Sequence, residues 1–315
     1  MCKTCDIQIN QAAAYAYDPT RTTTLRNRWV ADFNRRFKRL SIDIRNRVGV
    51  EDYYGLGVGN NIQTNTFPFP NNQSKIDDFT KWLYQQVNDG FLTTTNIGQA
   101  GPLNAWQNVY ISDSYQRGVI RARQEMIKAG IQVPPMNETG GIQASMQTPI
   151  HADRLAALFN RDYALLKGIT DDMSRQISIT FAQGIADGVN PNALASDLVK
   201  VINGGTLDLK IEYINPRTGN PVSYIMPAKR RATIMARTEV IRAHHLANIA
   251  EYKNWGQYNI VVKAEFRSAG DTRVCPDCEA LDGNVFTIAQ IEPMIPVHPQ
   301  CRCIALPTLP IKTKK

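Results

Sequence analysis

Three side chains able to bind a metal stand within six positions of the stretch "HPQCRC" (298–303): His298, Cys301 and Cys303. The sequence has 6 cysteines and 4 histidines among 315 residues, so this is a concentration. Upstream, Cys275 and Cys278 form a Cys-x2-Cys pair, with 19 residues between Cys278 and His298. Two thiolates at that spacing close a knuckle around one ion. A second pair from a separate segment completes the tetrahedron that zinc takes. The pattern therefore points to a structural zinc site. Five ligands compete for four places. Cys275, Cys278 and His298 are the first three, and Cys301 or Cys303 is the fourth; if both of these bind, His298 is displaced. Free buried thiols, or a disulfide between the two halves under oxidising conditions, remain the alternatives. Either way the segment is a clasp that pins the end of the chain to the knuckle, in a region expected to have little core of its own.

A catalytic zinc keeps an open position and has an acid or base beside it. Here the ligands are in excess. A zinc deaminase would need His-x-Glu ahead of Pro-Cys-x-x-Cys, and the chain has no His-x-Glu. An HNH-type nuclease needs further histidines, and only His151, His244 and His245 remain, the last two adjacent on a helix and pointing to different faces. No catalytic residue is assigned, and the protein is expected not to be an enzyme. Cys2-x2-Cys5 is a second knuckle without a second pair, read as two free thiols on an N-terminal arm (1–17).

The elements that must position these residues follow from apolar spacing. Asp18-Pro19 reads as the start of a helix, with Asp as cap and Pro at the first helical position. Its stripe is Leu25, Trp29, Phe33, Phe37, Leu40, Ile44 and Val48. Residues 55–73 read as loop, and Ser74 with Asp77 as a capping box opening a helix to Val87. A helix is expected over 103–129, with Trp106, Val109, Tyr110, Ile120 and Ile127 in the core. The Pro/Gly-rich stretch 130–149 is the candidate boundary between a helical, basic region 1–145 and a domain 150–315. The second half reads as a long helix from His151 to Asp187, a helix capped by Asn190-Pro191, a hairpin within 206–226, a helix over 228–256, a strand over 259–268, and the cysteine region. The fold class is α+β and predominantly helical, with a small sheet and a Cys/His cluster in the C-terminal part.

The net charge is +8 and is unevenly spread. From Arg21 to Arg47 there are nine Arg/Lys against two Asp, a balance of +7. That density suits an acidic partner, nucleic acid first, or else a solvated helix face. The candidate DNA-contacting residues are Arg26, Arg28, Arg35, Arg36, Lys38, Arg39, Arg45 and Arg47. No apolar run approaches the roughly 20 residues that span a bilayer, and the N-terminus has no secretory pattern, so a protein made and kept in a reducing cytoplasm, with no membrane and no small-molecule substrate, is expected.

Three motifs in order, "ARTEVIRAHHLANIAEY" (236–252), "DTRVCPDCEALDG" (271–283) and "HPQCRC" (298–303), closely resemble the phage Mu protein F-like family of minor head, or head morphogenesis, proteins. The resemblance covers about residues 155–310. Besides the metal-ligand candidates, Arg237, Thr238, Glu239, Asp271, Arg273, Asp282 and Gly283 fall on the family motifs. Arg237 and Glu239 are two apart and do not share a helix face, so each is expected to reach the cysteine region or the strand; Asp282-Gly283 is turn chemistry. The resemblance implies a virion protein inside a tailed-phage head, associated with the portal. It also implies assembly in a host cytoplasm, contacts with a portal protein, a major capsid or scaffold protein and double-stranded DNA, and a part in packaging or genome delivery. Some members of the family carry toxin or enzyme domains after the motif, but only "IALPTLPIKTKK" follows here, so none is expected. A metal-dependent nuclease, or other nucleic-acid enzyme, with the cysteines as scaffold is the competing reading. A zinc-containing DNA-binding regulator is a third, but it would need a recognition helix and a symmetric dimer, and nothing marks them.

Overall fold

The structure, a computed structural model, describes residues 18–57, 72–93, 102–204, 210–214, 221–256 and 262–308. The N-terminal arm with Cys2 and Cys5, most of the 55–73 loop, the hairpin turn and the tail after residue 308 lie outside the described residues. The elements are α1 (Thr23–Ile44), α2 (Asn72–Val87), α3 (Asn108–Lys128), α4 (Gly141–Met146), α5 (Pro149–Ala186), α6 (Pro191–Asn203), β1 (Lys210–Ile214), β2 (Pro221–Ile225), α7 (Ala228–Gly256), β3 (Lys263–Arg267), α8 (Pro276–Leu281), β4 (Val285–Thr287), α9 (Ile288–Ile291) and β5 (Ile304–Thr308). The fold is mixed α+β and mostly helical. β1 and β2 form an antiparallel hairpin, and β4-β3-β5 form a second antiparallel sheet with β3 central.

All seven stripe residues of α1, from Leu25 to Val48, are buried. The helix runs on from Ile44 through a π-helical turn, Arg45–Val50. It begins later than Asp18-Pro19 suggests. The Asp18 carboxylate instead accepts from the backbone N–H groups of Thr20 (3.1 Å) and Thr22 (3.3 Å) and pairs with Arg26, so it organises the turn ahead of the helix. The expected box at Ser74 also gives way: α2 starts at Asn72, and Asp77 accepts from the Gln73 side chain at 2.8 Å. In α3, ten residues are buried, Tyr110 among them, whereas Val109 (61% exposed) and Ile127 (42%) face out. The core phase is carried by small and aromatic residues such as Ser114, Tyr115 and Gly118, which an aliphatic count overlooks. Asn190 caps α6 as expected, accepting from the Asn192 N–H at 2.9 Å.

The chain folds as two compact units, each drawn from non-consecutive stretches. One takes residues up to Trp29, Gln107–Asp162 and those from Ile234 on; the other takes Val30–Trp106 and Tyr163–Thr233. The division at 145–150, by contrast, reads the chain in sequence order. In the second unit an aromatic core joins α1, α2 and α5: Phe79 stacks on Phe181 (3.9 Å between centroids), and Phe37 packs on Phe91 (4.7 Å). In the first unit the stretch 130–149 is folded against α3. Ile131 and Val133 are buried, and Arg123 donates to Pro134 O at 2.9 Å.

α3 and α7 approach closely in the first unit. A Cβ on Gly118 would stand 2.5 Å from His244 O and 2.6 Å from the Ala247 Cβ, both rigid atoms. On α5, a Cβ at Gly168 would meet nothing. Gly118→Ala is therefore expected to destabilise the protein by about 1–3 kcal/mol through overpacking, and Gly168→Ala to stabilise it by about 0.5–1 kcal/mol through helix propensity. Urea unfolding of the two variants checks both signs.

Candidate metal centre

The knuckle stands on the end of β3. Asp282 Oδ1 accepts from the Ser268 N–H (2.8 Å), and Gly283, at φ +79°, donates its N–H to Phe266 O (2.9 Å). Only a residue content in the left-handed region closes this turn without strain. α8 then begins at Cys275, with Pro276 at its first position. Cys275 caps the helix, its Sγ accepting from the Cys278 N–H at 3.4 Å. Cap geometry thus brings two thiols two residues apart to one side.

The second half of the site is held by α7. Gln300, at φ +63°, turns the chain between His298 and Cys301. Its N–H donates to Thr238 Oγ1 (3.0 Å), and its Oε1 accepts from Arg237 (3.0 Å). Arg302, between the two last cysteines, makes a bidentate pair with Asp271 (2.6 Å for both bonds), and Arg273 donates to the same carboxylate at 2.7 Å. These guanidinium hydrogen bonds, Arg302's first, hold the Asp271 carboxyl far below the ordinary carboxylate range. Arg237, Thr238, Asp271, Arg273, Asp282 and Gly283 therefore all frame the cysteine region. Glu239 does not join them. It is buried and pairs with Arg161 and Arg242 (3.1 Å each), beside the buried Asp162, whose pKa burial and Glu239 push well up.

The ligand atoms converge as two overlapping groups, Cys275–Cys278–His298 and Cys278–Cys301–Cys303, each with all its atoms within 4.8 Å of one another. Cys278 is common to both. Around a tetrahedral ion with Zn–S bonds of about 2.3 Å, ligand atoms stand about 3.8 Å apart, so each group by itself is compact enough to supply three ligands to one ion, while the expected set of four does not fall within one group. His298 is set in the tautomer a metal needs. Its Nδ1 lies 2.9 Å from Pro299 O and must donate there, leaving the Nε2 lone pair facing Cys278 Sγ at 3.3 Å. Without metal the thiols share protons. A hydrogen bond from Cys303 brings Cys301 down to about 5 despite its burial, while burial and the neighbouring Cys301 push Cys278 up to about 12. Buried thiols beside an imidazole are the donor set that a soft divalent ion takes, so the residues fit one. They do not sit in a poorly packed region, as their spacing alone suggested. Cys278, Cys301 and Cys303 belong to a core with Met126, Tyr252, Phe266 and Ile295.

The basic residues sort into two kinds. Arg28, Arg35, Lys38, Arg39 and Arg45 are exposed on one side of α1, away from its buried stripe. Arg26 is buried on Asp18. Arg36 lies 3.8 Å above the Trp106 ring and donates to Gly90 O, and Arg47 lies 3.6 Å above Tyr53 and donates to Tyr54 Oη (2.7 Å). These three have structural partners, which local charge density does not reveal.

Residues 175–306 match the family model described as Phage Mu protein F like protein. The match contains every motif that carries the resemblance and starts inside α5, about twenty residues later than the resemblance seemed to reach. No curated protein and no solved structure matches the chain. The Mu F-like family suggests a phage head morphogenesis protein and a place in the virion. Among the described residues, no helix is long and apolar enough to cross a membrane.

The Mu F-like region also depends on a buried network that sequence reading missed. Glu251 on α7 accepts from Arg123 (2.5 Å), His151 (3.1 Å) and Trp255 (2.8 Å), and the other nitrogen of His151 meets Tyr115 Oη at 3.1 Å. Glu251 and His151 are 100 residues apart, and nothing local links them. Burial would raise the Glu251 pKa, but the hydrogen bonds from His151, Trp255 and Arg123 and the Arg123 charge bring it below its usual value. A depressed carboxylate stabilises the fold above its unfolded value of about 4.3 and loses that contribution as pH falls through the folded value. Glu251→Gln should cost about 3 kcal/mol near neutral pH by leaving Arg123 uncompensated, and its stability should fall less steeply than the parent's below about pH 4. Equal acid slopes for the two proteins would remove Glu251 as the source.

Proposed function

We infer that this chain is a minor structural protein of a tailed-phage head. In this reading it sits inside the capsid by the portal, contacts the packaged DNA, and assists head assembly, packaging or genome delivery. The observation that carries the reading is the family match over 175–306, because those residues include the knuckle, the Gln300 turn and the α7 residues that hold it. The partners would be the portal protein, a capsid or scaffold protein, and duplex DNA. The role proposed is structural rather than catalytic, since the five candidate ligands exceed the three that a hydrolytic metal with an open position uses. Mass spectrometry of purified particles before and after DNA ejection tests the location. Metal-dependent DNA cleavage that Cys275→Ala abolishes without unfolding would replace this reading with a nuclease.

The ion proposed for the clasp is zinc, held by Cys275, Cys278 and His298 with Cys301 or Cys303 as the fourth ligand. It would cross-link the knuckle to the C-terminal strand and do no chemistry on a substrate. Protein purified without chelator should contain about one zinc per chain. Because three of the cysteines already lie in a packed core, chelation is expected to lower the melting temperature and leave the helical circular-dichroism signal intact. A chain free of metal whose thermal transition ignores added zinc would sink the assignment.

DNA contact is assigned to the exposed face of α1: Arg28, Arg35, Lys38, Arg39 and Arg45. Arg35 also pairs with Asp32, an exposed contact that competes weakly with phosphate. Such contacts release counterions and read no sequence. If about five charges bind, log affinity against log salt should have a slope near −4 to −5 on duplex DNA. Replacing Arg28, Arg35, Lys38 and Arg39 with Gln should flatten that slope by about 3–4 units while keeping the helix. An unchanged slope would move the DNA contact elsewhere, and weak DNA binding with failed incorporation into heads would assign this face to the portal.

A further inference from the structure

Away from the clasp, the first compact unit has a cavity of about 190 Å³ whose wall carries three guanidinium groups and no carboxylate. Its residues come from three places. Arg117, Ile120, Arg121 and Gln124 recur at i, i+3, i+4 and i+7 along one face of α3. Thr20 and Arg21 come from the turn ahead of α1, and His244 from the buried side of α7. The volume is several times what one water needs.

Five of the wall residues offer side-chain donors to the space. Arg21 is exposed, at φ +55°, and its side chain has no acidic partner among the described residues. Arg117 is exposed and pairs bidentately with Asp113 one turn back (2.9 and 3.1 Å), which leaves the remaining guanidinium N–H groups free for a ligand. Arg121 is anchored by its bond to Pro19 O, and its Nε makes no hydrogen bond and lies 3.7 Å from Glu125. Gln124 is exposed, with no side-chain bond among the described residues. His244 is 2% exposed, and burial first, then the charge of Arg121, keep its imidazole neutral, with its pKa down to about 3. Thr20 is already committed to Asp18 and Thr22.

Three cations converge on a concave space with amide and imidazole donors beside them; Asp113 and Glu125 stand against Arg117 and Arg121 from outside its wall, and Arg21 has no acidic partner among the described residues. Guanidinium forks match the oxygens of a tetrahedral oxyanion, with charge-assisted hydrogen bonds that a halide cannot reproduce. We propose that the cavity bounded by Arg21, Arg117, Arg121, Gln124 and His244 is a phosphate-binding site, taking either a backbone phosphate of nucleic acid or a free phosphate group. The assignment stands on the cavity alone and does not depend on the head-protein reading or on the exposed face of α1.

The test uses the full chain with inorganic phosphate at constant ionic strength and chloride as control. Phosphate should bind saturably by calorimetry and raise the melting temperature beyond the chloride control. Arg21→Gln with Arg117→Gln should weaken it by about tenfold for each guanidinium removed. Both residues are exposed, so the double variant keeps its fold, which circular dichroism checks. Lys167→Gln with Lys200→Gln, exposed on α5 and α6 and given no binding role, should leave phosphate affinity unchanged. A short DNA duplex that displaces phosphate identifies the ligand as the nucleic-acid backbone, and a duplex that does not displace it identifies a free phosphate group. Absence of phosphate binding above the chloride control, undiminished affinity in the Arg21/Arg117 variant, or binding of an acidic peptide in place of phosphate would each overturn the proposal.

Discussion

From about Ala236 to Tyr252, α7 is buried on nearly every side, and it carries Glu239, His244, His245, Asn248 and Glu251 into that burial. A buried polar group without a partner costs more than a typical hydrogen bond gains. The surrounding elements of the first unit must therefore answer this helix group by group. Arg123, His151 and Trp255 answer Glu251; Arg161 and Arg242 answer Glu239. The carbonyl of Glu292 meets His245 at 3.1 Å, and the Asn248 amide, in the orientation that satisfies both its ends, donates to Gly118 O at 2.7 Å. The close approach at Gly118 exists because the helix backbones must meet for that last bond to form. At the start of the same run, Arg237 and Thr238 take the Gln300 turn and so place the clasp.

This arrangement explains which parts of the structure were legible in the sequence. Apolar spacing is a local signal, and it marked α1, α5, α6 and α7 within a few residues. The partners of buried polar groups are not local. Arg123 is 128 residues from Glu251, and Gln300 is 62 from Thr238. Arg237 reached the cysteine region, as its separation from Glu239 suggested, but Glu239 turned to two arginines on helices, one of them a turn away on its own. What could have marked the network is its composition. A long helical stretch with Glu, His, His, Asn and Glu on otherwise apolar faces has no solvent side to put them on.

Charge density misled in a similar way. Nine basic residues between Arg21 and Arg47 read as one patch, but three of those named as DNA contacts serve the fold. Arg26 compensates Asp18, and Arg36 and Arg47 lie flat on aromatic rings, where a guanidinium gains both packing and attraction to the ring face. The aromatic residues involved, Tyr53 and Trp106, lie 6 and 70 positions away, so only the nearer pairing had any sequence signal. What remains exposed is a single face, set by the same helical period that buries the opposite stripe.

The clasp differs from a small zinc domain that has no fold without its ion. Its spacing was legible because a metal knuckle is local, but its setting was not, because the core around it comes from α3, α7 and the β4-β3-β5 sheet. Cys278, Cys301 and Cys303 are held by Tyr252, Phe266 and their neighbours before any ligand arrives. A divalent ion would then bind thiols that are already placed, so little ordering entropy would oppose binding. α7 links this end to the arginine-lined cavity, since Arg237 and His244 stand two turns apart on one rigid helix. The C-terminal segment is tied to α7 twice, through the Gln300 turn and through Tyr252, whose hydroxyl donates to Ala305 O at 3.1 Å.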